Sequence, residues 1–342
     1  MRHQCLQTKT AGDIQRSITE LILTNKLVSI LIPVYNAENW LEETIQSALN
    51  QAWDNTEIII VDDGSTDNSP EIARSFASDK VQVISQKNAG AAAARNRAFA
   101  ASKGNYIQYL DADDLLAPEK IEKQMVRLQK ESETTVASGP FDYFTGEPDN
   151  KITKDDNAYR DYKNPLDWLV ESMQKQDMFP PLVWLTPRRL IEEAGPWNEQ
   201  LSYNDDPEFF ARVLLKADKI AFCEDAKSYY RRGISSSLGS RKDEKALASR
   251  LLALQLVTEY MLEAENTQRV REGCGFAFRK YIYSLYPQFP ALRKEAQETL
   301  KRLDVDGRYD FASGKSATLG QWFGWKTVKW LRFFYHKLGY AG

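Results

Sequence analysis

Two stretches of this chain run buried-type β-formers straight into adjacent carboxylates, and that arrangement narrows the fold more than any other feature. Residues 57–67 read EIIIVDDGSTD and residues 106–118 read YIQYLDADDLLAP, so Asp62 and Asp63 close one apolar run while Asp111, Asp113 and Asp114 close the other. A strand that is apolar along its whole length is typical of a parallel sheet buried on both faces, and ligands of such sheets bind outside the strand carboxyl ends. Carboxylates crowded at one strand end repel one another unless a cation sits among them. A hard divalent ion held by one or two protein carboxylates keeps positions open for a diphosphate, which is how Mg²⁺ or Mn²⁺ serves nucleotide chemistry. A third run, VSILIPVY at 28–35, ends in Pro33 and Tyr35, where an aromatic ring can stack on a nucleobase. One acidic pair alone fits a helix cap or a solvated turn equally well. Two pairs, each directly after a buried-type strand, point to a cleft that holds a nucleoside diphosphate and its metal.

From Leu27 the chain alternates short β and α signals, with strands predicted at 27–34, 57–61, 81–85, 106–110 and near 134–141 and helices at 39–50, 69–77, 91–102 and 118–130. That order implies a parallel α/β sheet with right-handed crossovers. Before it, Ile14, Ile18, Leu21 and Ile22 share one helix face, so residues 1–26 read as a helical extension. Residues 142–235 are less regular and open with a polar stretch at 145–164, the composition of a functional flap or a disordered segment. Residues 242–303 are helical by pattern.

Composition removes several function classes. At 342 residues the chain can bury one large core or two modest ones. A net charge of −3 carries no nucleic-acid signal, and no apolar run approaches the roughly 18 residues that a membrane span needs. The opening MRHQCLQTKTAGD lacks the apolar core of a signal peptide, so a cytoplasmic location is expected. The three cysteines, Cys5, Cys223 and Cys274, are far apart and suggest neither a disulfide framework nor a metal site. Only His3 and His336 exist, one near each end, so the general base of any hydrolytic or transfer chemistry is an Asp or Glu. No GxGxxG follows a strand, and Gly314-Lys315-Ser316 lacks the upstream glycine of a phosphate-binding loop, which argues against a dehydrogenase and a P-loop hydrolase.

Four segments, VSILIPVYNAENWLEETIQSALNQ, EIIIVDDGSTDNS, KNAGAAAARNRAFAASKGNYIQYLDADD and GPWNEQLSYNDDPEFFARVLLK, together resemble glycosyltransferase family 2, inverting enzymes of the GT-A fold. The resemblance implies a Rossmann-like mixed sheet flanked by helices over 27–238, with a nucleotide-sugar half at 27–141 and an acceptor half at 142–238, followed by a helical region at 239–314. It implies a metal-dependent, hexosyltransferase-like enzyme that moves sugar from a nucleotide-diphosphate donor, a UDP-sugar in the first instance, to a hydroxyl in a surface polysaccharide or glycolipid. Pro33, Tyr35 and Asp63 would line the base pocket, with Asp62 adjacent, and Asp111 and Asp113 match the DXD pattern, the first near ribose and metal and the second on the Mn²⁺ or Mg²⁺ ion. Asn88, Gly90 and Arg95 fit the loop and helix start that complete the nucleotide site, where Arg95 could face a phosphate or a carboxylate. Asp114 reads as a cap for the helix near Pro118. Asp206 takes the place of the family's catalytic base, with Asp205 where Glu is usual and Glu208 close by; acids at a helix start also cap it. One departure stands out: relatives carry a histidine after the later strand, whereas this chain reads Tyr230-Arg231-Arg232-Gly233. Arg231 or Arg232 could then neutralise the diphosphate, and a nucleotide-sugar-binding protein without transfer activity is the alternative reading.

Residues 315–342 differ from everything before them. They hold Lys315, Lys326, Lys329, Arg332 and Lys337, no acids and three tryptophans, a formal +5 on a chain that totals −3. Such a segment suits either an anionic membrane interface, here at the inner face of the membrane, or an aromatic helix docked on the body.

Overall fold

The computed structural model describes residues 26–146, 151–153, 158–175, 179–233, 243–312 and 315–337. The helical extension expected before residue 26 lies outside the described residues, as do 147–150 and 154–157 of the polar stretch.

Strands β1 (Val28–Val34), β2 (Thr56–Asp62), β3 (Val81–Ser85) and β4 (Tyr106–Tyr109) form a parallel array in the order β3-β2-β1-β4. They are separated along the chain by helices α1 (Leu41–Leu49), α2 (Ser69–Ser75) and α3 (Ala91–Ala101). In β1 and β2 the side chains from Ile30 to Ile32 and from Ile58 to Val61 are essentially inaccessible, which is why these runs carry no polar alternation. The register sets Val34 beside Asp62 and Leu31 beside Tyr109, so the carboxyl ends of β1, β2 and β4 reach one edge together.

After β4 come β5 (Leu115–Leu116), α4 (Lys120–Leu128), β6 (Thr135–Ser138), β7 (Phe141–Phe144) and β8 (Lys151–Thr153). The single strand expected near 134–141 is thus two strands. At the break, a Cβ on Gly139 would stand 2.2 Å from the Ala226 carbonyl oxygen, so only glycine lets the two backbones meet there. The polar stretch, read as a flap or a disordered segment, contains β8, which pairs antiparallel with β7. Helix α5 (Pro165–Lys175) precedes β9 (Thr186–Pro187), which closes the main sheet antiparallel to β4 and makes it mixed. Helices α6 (Arg188–Ala194) and α7 (Asp205–Lys216) lead to β10 (Lys219–Phe222), parallel to β6, and β11 (Ser228–Arg231), between β5 and β7.

The helical pattern at 242–303 is realised as α8 (Glu244–Ala264), α9 (Gln268–Leu285) and α10 (Pro290–Leu303). These pack on α7 and α5 and share one continuous apolar core with the sheet. Helices α11 (Lys315–Phe323) and α12 (Trp325–Lys337) follow. Replacing Gly139 with Ala should destabilise the protein by about 1–3 kcal/mol, the usual range for overpacking, because a backbone carbonyl cannot step aside as a side chain can. Urea unfolding of the variant against wild type measures this; an unchanged midpoint would show that the β6–β7 break tolerates a side chain.

Candidate active site

Two loops at the carboxyl edge of the sheet, after β1 and after β2, are sewn together by turn residues. Asn36, in the left-handed region at φ 49°, accepts the Thr66 N–H at 2.8 Å and donates its own N–H to Ser65 Oγ at 3.0 Å. The Ala37 N–H reaches Ser69 Oγ at 2.8 Å, and the Glu38 N–H reaches Asp67 Oδ2 at 3.0 Å. Pro33 and Tyr35 therefore end β1 on a fixed loop, with the Tyr35 ring 53% exposed and open to a ligand. Sequence reasoning passed over Asn36, Ser65, Asp67 and Ser69; their signal was the clustering of Asn, Ser and Asp in two turns.

The two acids after β2 have different occupations. Asp63 is buried and accepts three hydrogen bonds, from Gln86 Nε2 at 2.8 Å, the Ala89 N–H at 2.9 Å and the Gly90 N–H at 2.8 Å. It shapes the loop that carries Asn88 and Gly90. Gly64, at φ 74°, lets that loop close in, since a Cβ there would stand 2.8 Å from the Asn88 nitrogen. Asp62 accepts only the Ser65 N–H, at 3.1 Å on Oδ1, and its Oδ2 has no partner among the described residues.

At the end of β4 the acids meet two arginines. Arg95, on α3 and 5% exposed, donates to Asp111 Oδ1 at 2.8 Å and to Asp205 Oδ2 at 2.7 Å, and its guanidinium lies 4.5 Å from the centre of the Trp197 ring. Burial works against its charge, but Asp111, Asp205 and Asp206 outweigh this and raise its pKa. The two carboxylates thus occupy the guanidinium that was expected to complete the nucleotide site. Its neighbour Asn96 grips the Trp197 backbone, accepting the N–H at 2.8 Å and donating to the carbonyl at 3.0 Å.

Arg231 is engaged in the structure through each of its three guanidinium nitrogens. Its Nε donates to the Asp113 carbonyl at 2.8 Å, Nη1 to the Gly146 carbonyl at 2.8 Å and Nη2 to Glu43 at 2.5 Å, and the group lies between the Trp40 and Phe144 rings. The diphosphate contact expected of Arg231 would therefore fall to the donors that these bonds leave over. Arg232 is exposed, with its guanidinium over the Tyr143 ring. Gly233 has φ 87°, a backbone that a histidine would occupy only under strain.

Asp114 does not cap a helix. It is 1% exposed, accepts the Arg231 N–H at 2.9 Å and leaves Oδ2 buried without a partner, while Glu119 stands at the N-cap position of α4 with no capping hydrogen bond from its side chain. Burial, then Asp113 and Asp111, hold its carboxyl well above the usual range. Apart from its own backbone N–H, no group among the described residues is seen donating to the Asp113 carboxylate, and burial together with repulsion from Asp111 pushes its pKa up to about 6. A divalent cation would reverse both effects. Among the described residues no three His, Cys, Asp or Glu side chains form a ready metal cage. Asp113 beside Asp111 instead fits an ion held by one or two carboxylates and otherwise by a diphosphate and water.

Helix α7 brings the remaining acids. Phe209 stacks on Trp197 at 4.0 Å and meets Tyr109 of β4 edge-on at 5.7 Å, which fixes the helix start against the strand end. From α8, Ser249 Oγ accepts the N–H groups of Ser202 and Tyr203 at 3.0 and 3.1 Å and braces the loop before it. Glu208 is 1% exposed and is taken up by Arg212 and the Tyr260 hydroxyl. Asp206 is held well above the usual carboxylate range by burial first and then by Asp205, with Arg95 opposing.

Arg95→Met should cost about 3–5 kcal/mol of unfolding free energy, because it strands buried carboxylates. Adding Asp111→Asn and Asp205→Asn should recover part of that loss, whereas purely additive losses in denaturant titrations would show that the bridge does not couple the acids.

The geometry agrees with what this chain is similar to. A family model described as "Glycosyl transferase family 2" matches residues 29–239. The glycosyltransferase GlyG of Streptococcus pneumoniae serotype 4 is 30% identical over 235 residues, covering 64% of this chain and 75% of that one. The minor teichoic acid biosynthesis protein GgaA of Bacillus subtilis is 27% identical over 241 residues, covering 66% of this chain and 49% of that one. Among solved structures, S. aureus TarS 1–349 in complex with UDP-GlcNAc superposes with a TM-score of 0.69 at 17% identity, covering 91% of this chain and 92% of that one. With a mixed sheet of the same fold, acids at the strand ends and a match across most of the first 240 residues, the chain belongs to glycosyltransferase family 2.

Proposed function

We propose that the protein is an inverting transferase that moves a sugar from a UDP-sugar to a hydroxyl of a surface polysaccharide or glycolipid, working in the cytoplasm. The observation that carries this reading is the Arg95 bridge, which brings the DXD acid Asp111 and the Asp205-Asp206 pair to one cleft although they are far apart in sequence. Relatives and neighbours support the substrate class: GgaA is named for teichoic acid biosynthesis, and TarS was solved with UDP-GlcNAc.

In this reading Tyr35 stacks on the base, and Asp62, which keeps a free oxygen, takes the base-facing role first given to Asp63. Asp206 removes the proton from the acceptor hydroxyl, whose oxygen attacks the anomeric carbon on the face opposite the diphosphate. The bond from that carbon to the diphosphate oxygen breaks, and UDP leaves with the electron pair. A Mn²⁺ or Mg²⁺ ion on Asp113 and Asp111 would supply electrostatic stabilisation of that leaving group. Arg232, exposed and next in sequence to Arg231, would add a second positive charge for the diphosphate.

A carboxyl whose folded-state pKa is raised stabilises the fold below its ordinary pKa, and that contribution is lost as pH rises through the raised value. Asp206 is such a group, so near neutral pH it costs stability in order to serve as a base. Asp206→Asn should therefore lower the transfer rate at least about a hundredfold while leaving UDP binding intact. The same variant should melt about 1–3 °C higher. Wild-type transfer should rise with pH well above the ordinary carboxylate range, and the variant should lose that limb. Near-normal turnover in the variant would move the base to Asp205; a wild type that binds UDP-sugar without turnover would favour the binding-protein reading. Asp113→Asn should separately abolish the Mn²⁺-dependent part of UDP affinity in calorimetry, and an unchanged affinity would remove it from the metal site.

A further inference from the structure

The basic aromatic tail has two faces that do different things. On its inner side Trp325 stacks on Tyr309 at 4.7 Å and packs against Tyr283 and Tyr286, Val328 is 8% exposed, and the Lys329 ammonium lies 4.5 Å from the Tyr283 ring centre. This side docks α12 on α9. The outer side carries Lys326, Trp330, Phe334 and Lys337, spaced by four, four and three residues, so they form one stripe along the helix. Trp330 and Phe334 are 48% and 47% exposed and stack face to face at 5.4 Å, and Leu331 beside them is 55% exposed. Trp322 and Phe323 at the end of α11 are 81% and 65% exposed.

We infer that this outer face of α12 is a docking surface for an anionic lipid bilayer, which holds the transferase body at the membrane surface. Three features favour lipid over a protein partner. Lysines flank the aromatic pair at both ends of one stripe, so rings can enter the headgroup boundary while the cations meet lipid phosphate. The segment from 315 to 342 carries five basic residues and no acid on a chain with a net charge of −3, so an anionic surface attracts the tail and repels the body, which orients the protein. No helix among the described residues is long and apolar enough to cross a membrane, so the contact is peripheral. This inference does not depend on the transfer chemistry, and its test reads binding alone.

The full-length protein is the right test object, because deleting the tail would strip Trp325 from Tyr283 and Tyr309 and expose them. It should float with phosphatidylcholine vesicles containing phosphatidylglycerol at low salt, fail to float with phosphatidylcholine alone, and be released by high salt. The double variant Lys326→Ala/Lys337→Ala should bind roughly thirtyfold more weakly, from two lost basic contacts. Trp330→Ser/Phe334→Ser should weaken binding at least about tenfold, the loss of buried aromatic surface. Both variants should stay folded with unchanged UDP affinity, since all four residues are exposed. Failure of the wild type to float, or flotation indifferent to both variants, would overturn the inference. So would sedimentation showing an oligomer that the aromatic double variant dissociates, because the face would then belong to a second copy of this chain.

Discussion

The active site of this transferase hangs on one buried cation. Arg95 sits 5% exposed between Asp111 at the end of a strand and Asp205 at the start of a helix, over the face of Trp197. Arginine is the side chain for such a place, because its planar fork can serve two carboxylates at once and its face can lie on an aromatic ring, whereas an ammonium is a point charge. Burying this group is expensive, so the bridge specifies an arrangement rather than adding much net stability. On the proposed reading of the site, this arrangement holds a donor-side acid and an acceptor-side acid on one charge. The aromatic packing of Phe209, Trp197 and Tyr109 then fixes the distance between helix and strand.

Around that bridge the site contains more acid than base. Asp111, Asp113, Asp114, Asp205 and Asp206 face only Arg95 and Arg231 among nearby arginines, and Arg231 is shared with Glu43. The excess is not spread evenly. Arg95 answers Asp111 and Asp205, the Arg231 backbone N–H answers one oxygen of Asp114, and the imbalance collects on Asp113, Asp114 and Asp206, whose carboxyls are all pushed up. Their environments favour different remedies, since Asp113 lies beside another DXD acid where a cation can serve both, and Asp206 lies at a helix start where it can hold and release a proton. Sites that store like charges in this way give up stability for chemistry.

How far the sequence could be read depended on how local each feature was. The strands β1, β2 and β4 were legible because a buried parallel sheet leaves them mostly apolar, and the acids after β2 and β4 could be assigned to one edge because parallel strands end on the same side. The later strand pair was blurred because the break at Gly139 depends on a backbone that arrives from Ala226. The structural bonds of Arg231 were hidden for the same reason: its partners Glu43, Asp113 and Gly146 lie far away in sequence. The division of labour between Asp62 and Asp63 is finer still. The two are adjacent and chemically identical, and only the approach of the loop at 86–90, admitted by Gly64, commits Asp63 to structure.

The tail shows the same limit from the other direction. As a sequence, three tryptophans and five basic residues favoured contact with a membrane over docking on the body, although the aromatics are spread around the helix. In the fold that spread is resolved into two stripes. The tyrosines of α9 and the loop after α10 take up Trp325, which leaves Trp330 and Phe334 on the far side with lysines at either end. A helix that only docked would have no use for the outer pair, and one that only met lipid would have no use for Trp325. The inner stripe supplies a rigid mount, and that mount lets the outer stripe present an ordered face rather than a loose chain, so less conformational entropy is lost when it engages a surface.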